Sequence, residues 1–409
     1  MSTSPDFGTF GRYQETPVDA MAPDMKAAYD FTKQVRGMVP GPHKIWLANS
    51  TLSQTIVPTG AYFQTQSTLT KAEIEIATNL INGKWHAAYG NYEHEIIGHF
   101  LGGLAPEKVQ ALIAGLPTGF DDPREQVIYE LTTALISPRV VPLGLYRRAQ
   151  DLLGDAGIVD VTVLIGWFTA VSMTLTAYDV PANADTTALP QYPSTLARPA
   201  LTAHENPTHT TTDRRITMTA HTETAHTDTL GGRLPLVDPA ELTDDQKGLV
   251  DLLSNTLVAG VNSVGAQATT DDGRLIGPFN PALYSPAISA KFVELQMFEL
   301  MNTSLPERVR QVVILAVGAV WRADYELYAH SAAARAAGIS AHAVTALANG
   351  DIPDELGEHE KIAGHLARQL SSTHRVDEAL YREAERRSAS RVSSTWPPSS
   401  APTTQCARP

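Results

Sequence analysis

The chain has 409 residues, 43% hydrophobic and 18% charged, with a net charge of -13 at pH 7. That length allows two or three domains with sizeable cores, and an acidic balance without a Lys/Arg block argues against nucleic acid as a partner. A single cysteine, Cys406, excludes an intrachain disulfide framework, a Cys-x-x-Cys redox site and a cysteine-based zinc site.

The first residues, Met1-Ser-Thr-Ser-Pro-Asp, lack a basic segment followed by an apolar one, so a cytoplasmic location is expected. Residues 1–37 read as a loose polar arm and a first helix. Asp24 to Gly37 has helical spacing, with Met25, Tyr29, Phe31 and Val35 as apolar positions. Residues 38–180 read as a first domain. A Gly41-Pro-His turn leads to a helix over Thr51 to Gln66, in which Pro58 predicts a break. Thr70 followed by Glu73 fits a capping box and opens a helix that runs to about Gly83. Trp85 to Gly102 is expected as one helix, and others follow over Pro106 to Ala114, Asp122 to Ile136, Pro142 to Leu153 and Ile158 to Tyr178. Val161 to Tyr178 carries no charge and reaches the lower length limit of a membrane span. Asp160 and Asp179 bracket it and Ser and Thr interrupt it, so a core helix buried all round is expected, with no membrane partner. No alternating strand or Asn-Gly hairpin signal appears, and the fold class is read as all-α.

Residues 181–240 are rich in Thr, Pro and His and read as a linker. The spacing of His204, His209, His221 and His226 suits no single helical face, so no metal site is expected there. Over residues 241–387 the order of elements repeats as a second domain. The stretch Trp321-Arg-Ala-Asp-Tyr-Glu-Leu-Tyr-Ala-His330 matches Trp85-His-Ala-Ala-Tyr-Gly-Asn-Tyr-Glu-His94, with Trp, Ala, Tyr, Tyr and His in register at an offset of 236 (330 minus 94). Gly277-Pro-Phe repeats Gly41-Pro-His at the same offset, so a tandem duplication is expected. From Ser388 the chain turns to Ser, Thr and Pro. Residues 388–409 read as a disordered tail, which leaves the second unit without its last helix.

Chemistry is suggested by Glu326 and His330. Four apart, they share a helix face, and a carboxylate beside an imidazole can fix its tautomer and form an acid/base unit. The alternative is an exposed helical ion pair worth a few tenths of a kcal/mol. His86, eight residues before His94, is expected on nearly the same face. Glu93 and Glu95 are expected to face solvent, and Trp85 and Trp321 the core. His94 and His99 are five apart, not four, which excludes a zincin pair.

Taken together, the Gly-Pro-[Phe/His] turn, the helix after it and Trp-x-x-x-Tyr-x-x-x-x-His resemble the carboxymuconolactone decarboxylase family, which includes the alkylhydroperoxidase-D-like proteins. The resemblance covers most of residues 38–180 and 275–385. It implies a tandem pair of alkylhydroperoxidase-D-like helical domains acting on a small-molecule substrate without a cofactor, and self-association into a ring or pseudo-hexamer. The redox members carry Cys-x-x-Cys-x-x-x-His, but the cysteine positions here are Ala87 and Gly90, and Ala323 and Glu326. A thiol peroxidase lacks its nucleophile without them. The resemblance therefore implies the decarboxylating branch: a lyase acting on a small lactone or aromatic-derived acid. It also implies a glutamate 19 positions before the histidine, which is Glu75 before His94 but Gln311 before His330. The implied catalytic residues are His330, Glu326, His94 and Glu75. A peroxidase-like protein and a non-catalytic helical assembly module are the other readings.

Overall fold

The computed structural model describes residues 9–137, 140–182, 184 and 233–394. Most of the linker with its four histidines, and residues 395–409 with Cys406, lie outside the described residues. A two-stranded antiparallel hairpin, β1 (Thr9–Phe10) and β2 (Tyr13–Gln14), precedes α1 (Pro23–Arg36), α2 (Pro42–Trp46), α3 (Ser50–Thr65), α4 (Lys71–Lys84), α5 (Ala88–Phe100), α6 (Pro106–Ala114), α7 (Pro123–Ile136) and α8 (Leu143–Ala177). The second half comprises α9 (Asp244–Ser254), α10 (Leu257–Ser263), α11 (Phe279–Ala282), α12 (Pro286–Asn302), α13 (Glu307–Trp321), α14 (Asp324–Ala336), α15 (Ala341–Ala348), α16 (Glu358–Thr373) and α17 (Glu378–Ser394). The fold is all-α.

The first half is built around α4, which is buried from Glu73 to Gly83. Its start follows from Thr70 and Glu73, whose side chains satisfy each other's backbone N–H in the capping box. A helix buried this completely must pair its polar groups within the protein. Glu73 does so with Arg124 of α7 at 2.7 Å, and Asn79 donates to the His94 carbonyl of α5 at 3.1 Å. At Gly83 an added Cβ would lie 2.3 Å from the Ile113 carbonyl oxygen, so only glycine lets α6 approach this closely.

Several local expectations are corrected. The helix α3 runs through Pro58 without a break. The proline costs about 3 kcal/mol, but burial of Ile56, Val57, Tyr62 and Phe63 returns roughly 1.5–3 kcal/mol per side chain. The motif helix begins at Ala88, because His86 adopts φ 52° and turns the chain between α4 and α5. In α1 the buried stripe is Ala28 and Thr32, and Val35 is exposed. The helix α17 continues through Ser394, past the expected start of the tail. Arg382–Glu378 and Arg387–Glu383, both spaced i,i+4, support it.

By length and hydropathy α8 is the one helix among the described residues that could cross a membrane. It is not buried all round. Trp167, Val171 and Leu175 enter the core, while Thr162, Gly166 and Ala170 form an exposed stripe. Gly154, with φ 67° and ψ 173°, bends it where two helices are predicted.

The left-handed backbone positions recur at the motif offset. Gly37 and Gly273, Gly41 and Gly277, and His86 and Arg322 are each 236 apart; Gly103 and Gly338, and Gly115 and Gly350, are 235 apart. Gly41 and Gly277 each abut the motif tyrosine: an added Cβ would lie 2.8 Å from Tyr89 and 2.4 Å from Tyr325.

The halves pack into one another. The helix α12 lies on α3, α16 meets α8, and Ile288, Leu370 and Val376 join the core of the first half. Asp160 of α8 is fully buried and accepts from Thr68 Oγ1 and from Ser285 Oγ of the second half, both at 2.8 Å. Arg12 donates to Glu378 at 2.7 Å and sits 4.5 Å over the Tyr381 ring.

Candidate active site

Glu75 lies mid-α4 and His94 mid-α5, and the packing of the two helices brings them together. Glu75 Oε2 is 2.8 Å from His94 Nδ1, and Lys71 donates to Glu75 Oε1 at 2.7 Å. The Glu75 side chain is fully buried and that of His94 is 18% exposed. Burial pushes the Glu75 carboxyl up, but the charges and hydrogen bonds of His94 and Lys71 outweigh it and hold it below the usual carboxylate range. An ionised carboxylate can only accept, so Nδ1 carries the proton of the neutral imidazole. Nε2 is then the ring nitrogen left for a substrate. Phe168 of α8 meets the ring edge-on at 5.2 Å.

This pair borders a cavity of about 170 Å³ lined by residues of α1 to α5 and α8. Phe63, Trp167, Phe168, Val171 and Leu175 form its apolar wall, and Arg36, His43 and Glu93 add polar groups. Glu93 is buried here, against the expectation of a solvent-facing residue. His86 is not part of this cavity. It lies in a separate cleft with His374, 6.2 Å away ring to ring, since the turn before α5 removes it from the face of His94.

In the second half the same backbone holds different chemistry. His330 Nδ1 is 2.9 Å from Gln311 Oε1, and the Gln311 amide donates to Glu307 at 2.6 Å. His330 Nε2 faces Glu326 Oε2 at 3.4 Å, so the expected helical pair does meet. Its surroundings are more open: Glu326 is 45% exposed and His330 25%. Lys71 and Glu75 are replaced at the offset by Glu307 and Gln311. Gly90 and Asn82 are replaced by Glu326 and Gly318. The last exchange is steric. A Cβ on Gly90 would meet Asn82 Oδ1 at 2.8 Å, whereas a Cβ on Gly318 would stand 3.9 Å from Glu326 Cβ. Thus Gly90 leaves Nε2 of His94 unengaged by its own helix, and Glu326 engages that of His330.

Each predicted pair is therefore assembled, Glu75 with His94 and Glu326 with His330, in separate halves. Arg36, His43 and Phe168 were not anticipated. Arg36 falls in a segment read as an arm and first helix, and its 58-residue separation from His94 gives no local signal. Among the described residues no group of three or more His, Cys, Asp or Glu is arranged to hold a metal.

Residues 286–368 match the profile of the Carboxymuconolactone decarboxylase family. The match spans α12 to α15 and most of α16, including Gln311, Glu326 and His330. The second half thus contains a region similar to that family. No curated protein matches the chain.

Proposed function

We propose that the chain is a tandem pair of carboxymuconolactone decarboxylase-like units whose first half is a cofactor-independent carboxy-lyase acting on a small lactone or aromatic-derived acid. His94 transfers the proton and Glu75 orients it. The observation that carries this reading is the apolar-walled cavity beside a histidine whose Nδ1 is held by a buried, ionised carboxylate. Loss of CO₂ leaves an enolate-like carbanion that needs a proton at carbon; Nε2 of His94 takes up a proton from solvent to form the imidazolium, delivers it to that carbon and returns to the single neutral tautomer. Lys71 keeps Glu75 charged, and Glu75 stabilises the imidazolium formed when His94 takes up a proton. The five left-handed positions at offsets of 236 and 235 support duplication. The second half, with Nε2 of His330 facing Glu326 at an open surface, serves as a packing partner that completes the first half through α12 and Ser285.

The test is turnover of a panel of small lactone acids by the full chain. His94→Ala should lower kcat by roughly 10²–10⁴-fold, the scale of one positioned acid/base, and His330→Ala should leave it within about twofold. Dominance of the His330 variant would move the site to the second half. Insensitivity to both would end the acid/base reading.

A further inference from the structure

Arg36 has no role in the proton transfer, and its environment is unusual. It ends α1 and lines the cavity that holds His94. Its Nη1 is shielded from solvent and makes no hydrogen bond among the described residues. Burial lowers its pKa, the direction expected for a cation without a compensating anion. A guanidinium nitrogen kept from solvent without a partner opposes folding, so a function at this position has to be sought in what it binds. His43 stands nearby, 3% exposed, with its Nδ1 also buried and unbonded, and with its ring edge-on to Trp46 at 4.9 Å. Two buried groups with unused hydrogen-bonding capacity thus lie in one cavity. The apolar wall of Trp167 and Phe168 and the acid/base pair complete it.

We infer that Arg36, assisted by His43, is the anion-recognition end of the cavity, seating the carboxylate of a single-ring acid whose ring lies against Trp167 and Phe168. A volume of about 170 Å³ is on the scale of one six-membered ring. The guanidinium fork matches a carboxylate in shape and charge. Glu93 lines the same cavity, so the ligand's charge belongs on the Arg36 side. Arg36 is then a specificity-determining residue, distinct from the proton-transfer pair. The inference rests on the reading of this cavity as a substrate site, and it does not require that the reaction be a decarboxylation.

Benzoate and its neutral isostere benzamide, titrated into the full chain by calorimetry, test it without turnover. One benzoate per chain should bind at least tenfold more tightly than benzamide. Arg36→Gln should remove that preference, and Arg36→Lys should restore part of it. The thermal midpoint separates recognition from a structural role. Arg36→Met should hold or raise the midpoint of the ligand-free protein, because it removes a half-buried cation whose Nη1 has no partner among the described residues. The inference is overturned if the wild-type chain does not bind benzoate, if benzamide binds equally well, if Arg36→Gln keeps the preference, or if Arg36→Met lowers the midpoint. Silence of the His94 variant in turnover, with benzoate recognition intact, would remove the catalytic reading alone.

Discussion

Acidification should destabilise this protein measurably through His43. The residue is 3% exposed. Burial, and after it the charge of Arg36, pushes its imidazole from the usual 6.5 down to about 3. The folded state therefore keeps His43 neutral where the unfolded chain binds a proton. Between pH 6.5 and about 3 the unfolded state holds more protons, so stability falls as pH falls. The whole gap, about 3.5 pH units at about 1.4 kcal/mol each, amounts to about 5 kcal/mol. Between pH 7 and pH 5 the same linkage gives about 2 kcal/mol. His43→Gln preserves polarity and approximate size but does not titrate. Urea unfolding at both pH values should show the wild-type chain losing about 2 kcal/mol more than the variant. His374, pushed down to about 4 by burial, Lys84 and His86, titrates in the same window but is common to both proteins and cancels. Glu75, held below the usual carboxylate range, stabilises above that range, and its contribution is lost only as pH falls through its folded value. Parallel losses in the two proteins, within about 0.5 kcal/mol, would refute the reasoning, since they would mean that folded His43 accepts its proton freely.

The exchange of Asn82 and Gly90 for Gly318 and Glu326 predicts a rescue. Gly90→Glu should destabilise by about 1–3 kcal/mol through overpacking against Asn82. Adding Asn82→Gly should recover most of that loss in the thermal midpoint, and a fully stable single variant would contradict the steric account. Asp160→Ala strands the donors of Tyr62, Ser67, Thr68 and Ser285 and should cost about 3 kcal/mol or more in denaturant unfolding, against about 1–2 kcal/mol for Ser285→Ala. If Glu75 acts through His94, the Glu75→Gln and His94→Ala effects on kcat should be non-additive, with the double variant close to His94→Ala alone. Multiplicative effects would assign Glu75 an independent role.

Much of the fold was legible in the sequence because its signals act within one helical turn. Thr70 with Glu73 marks the start of α4, and Thr243 with Gln246 forms a second capping box at α9. The absence of period-2 alternation gives the all-α class, and the match of Trp321–His330 to Trp85–His94 marks two stretches whose backbones do turn at the same register. The meeting of Glu326 with His330 was legible for the same reason, since they are one turn apart; Glu75, 19 positions before His94 on another helix, was implied by the family resemblance and not by spacing. What the linear pattern does not carry is which faces meet. Only the packing of α1 and α8 around α4 and α5 places His94, Glu93 and Arg36 around one cavity. Only contacts with α1, α8 and α12 keep α3 continuous through Pro58. The contrast between the surroundings of the two motif histidines is likewise visible only in three dimensions. Glu326 completes the more obvious pair along the chain, yet its carboxylate engages its own histidine at an exposed surface. Gly90 leaves the other histidine beside an apolar-walled cavity, unengaged by its own helix.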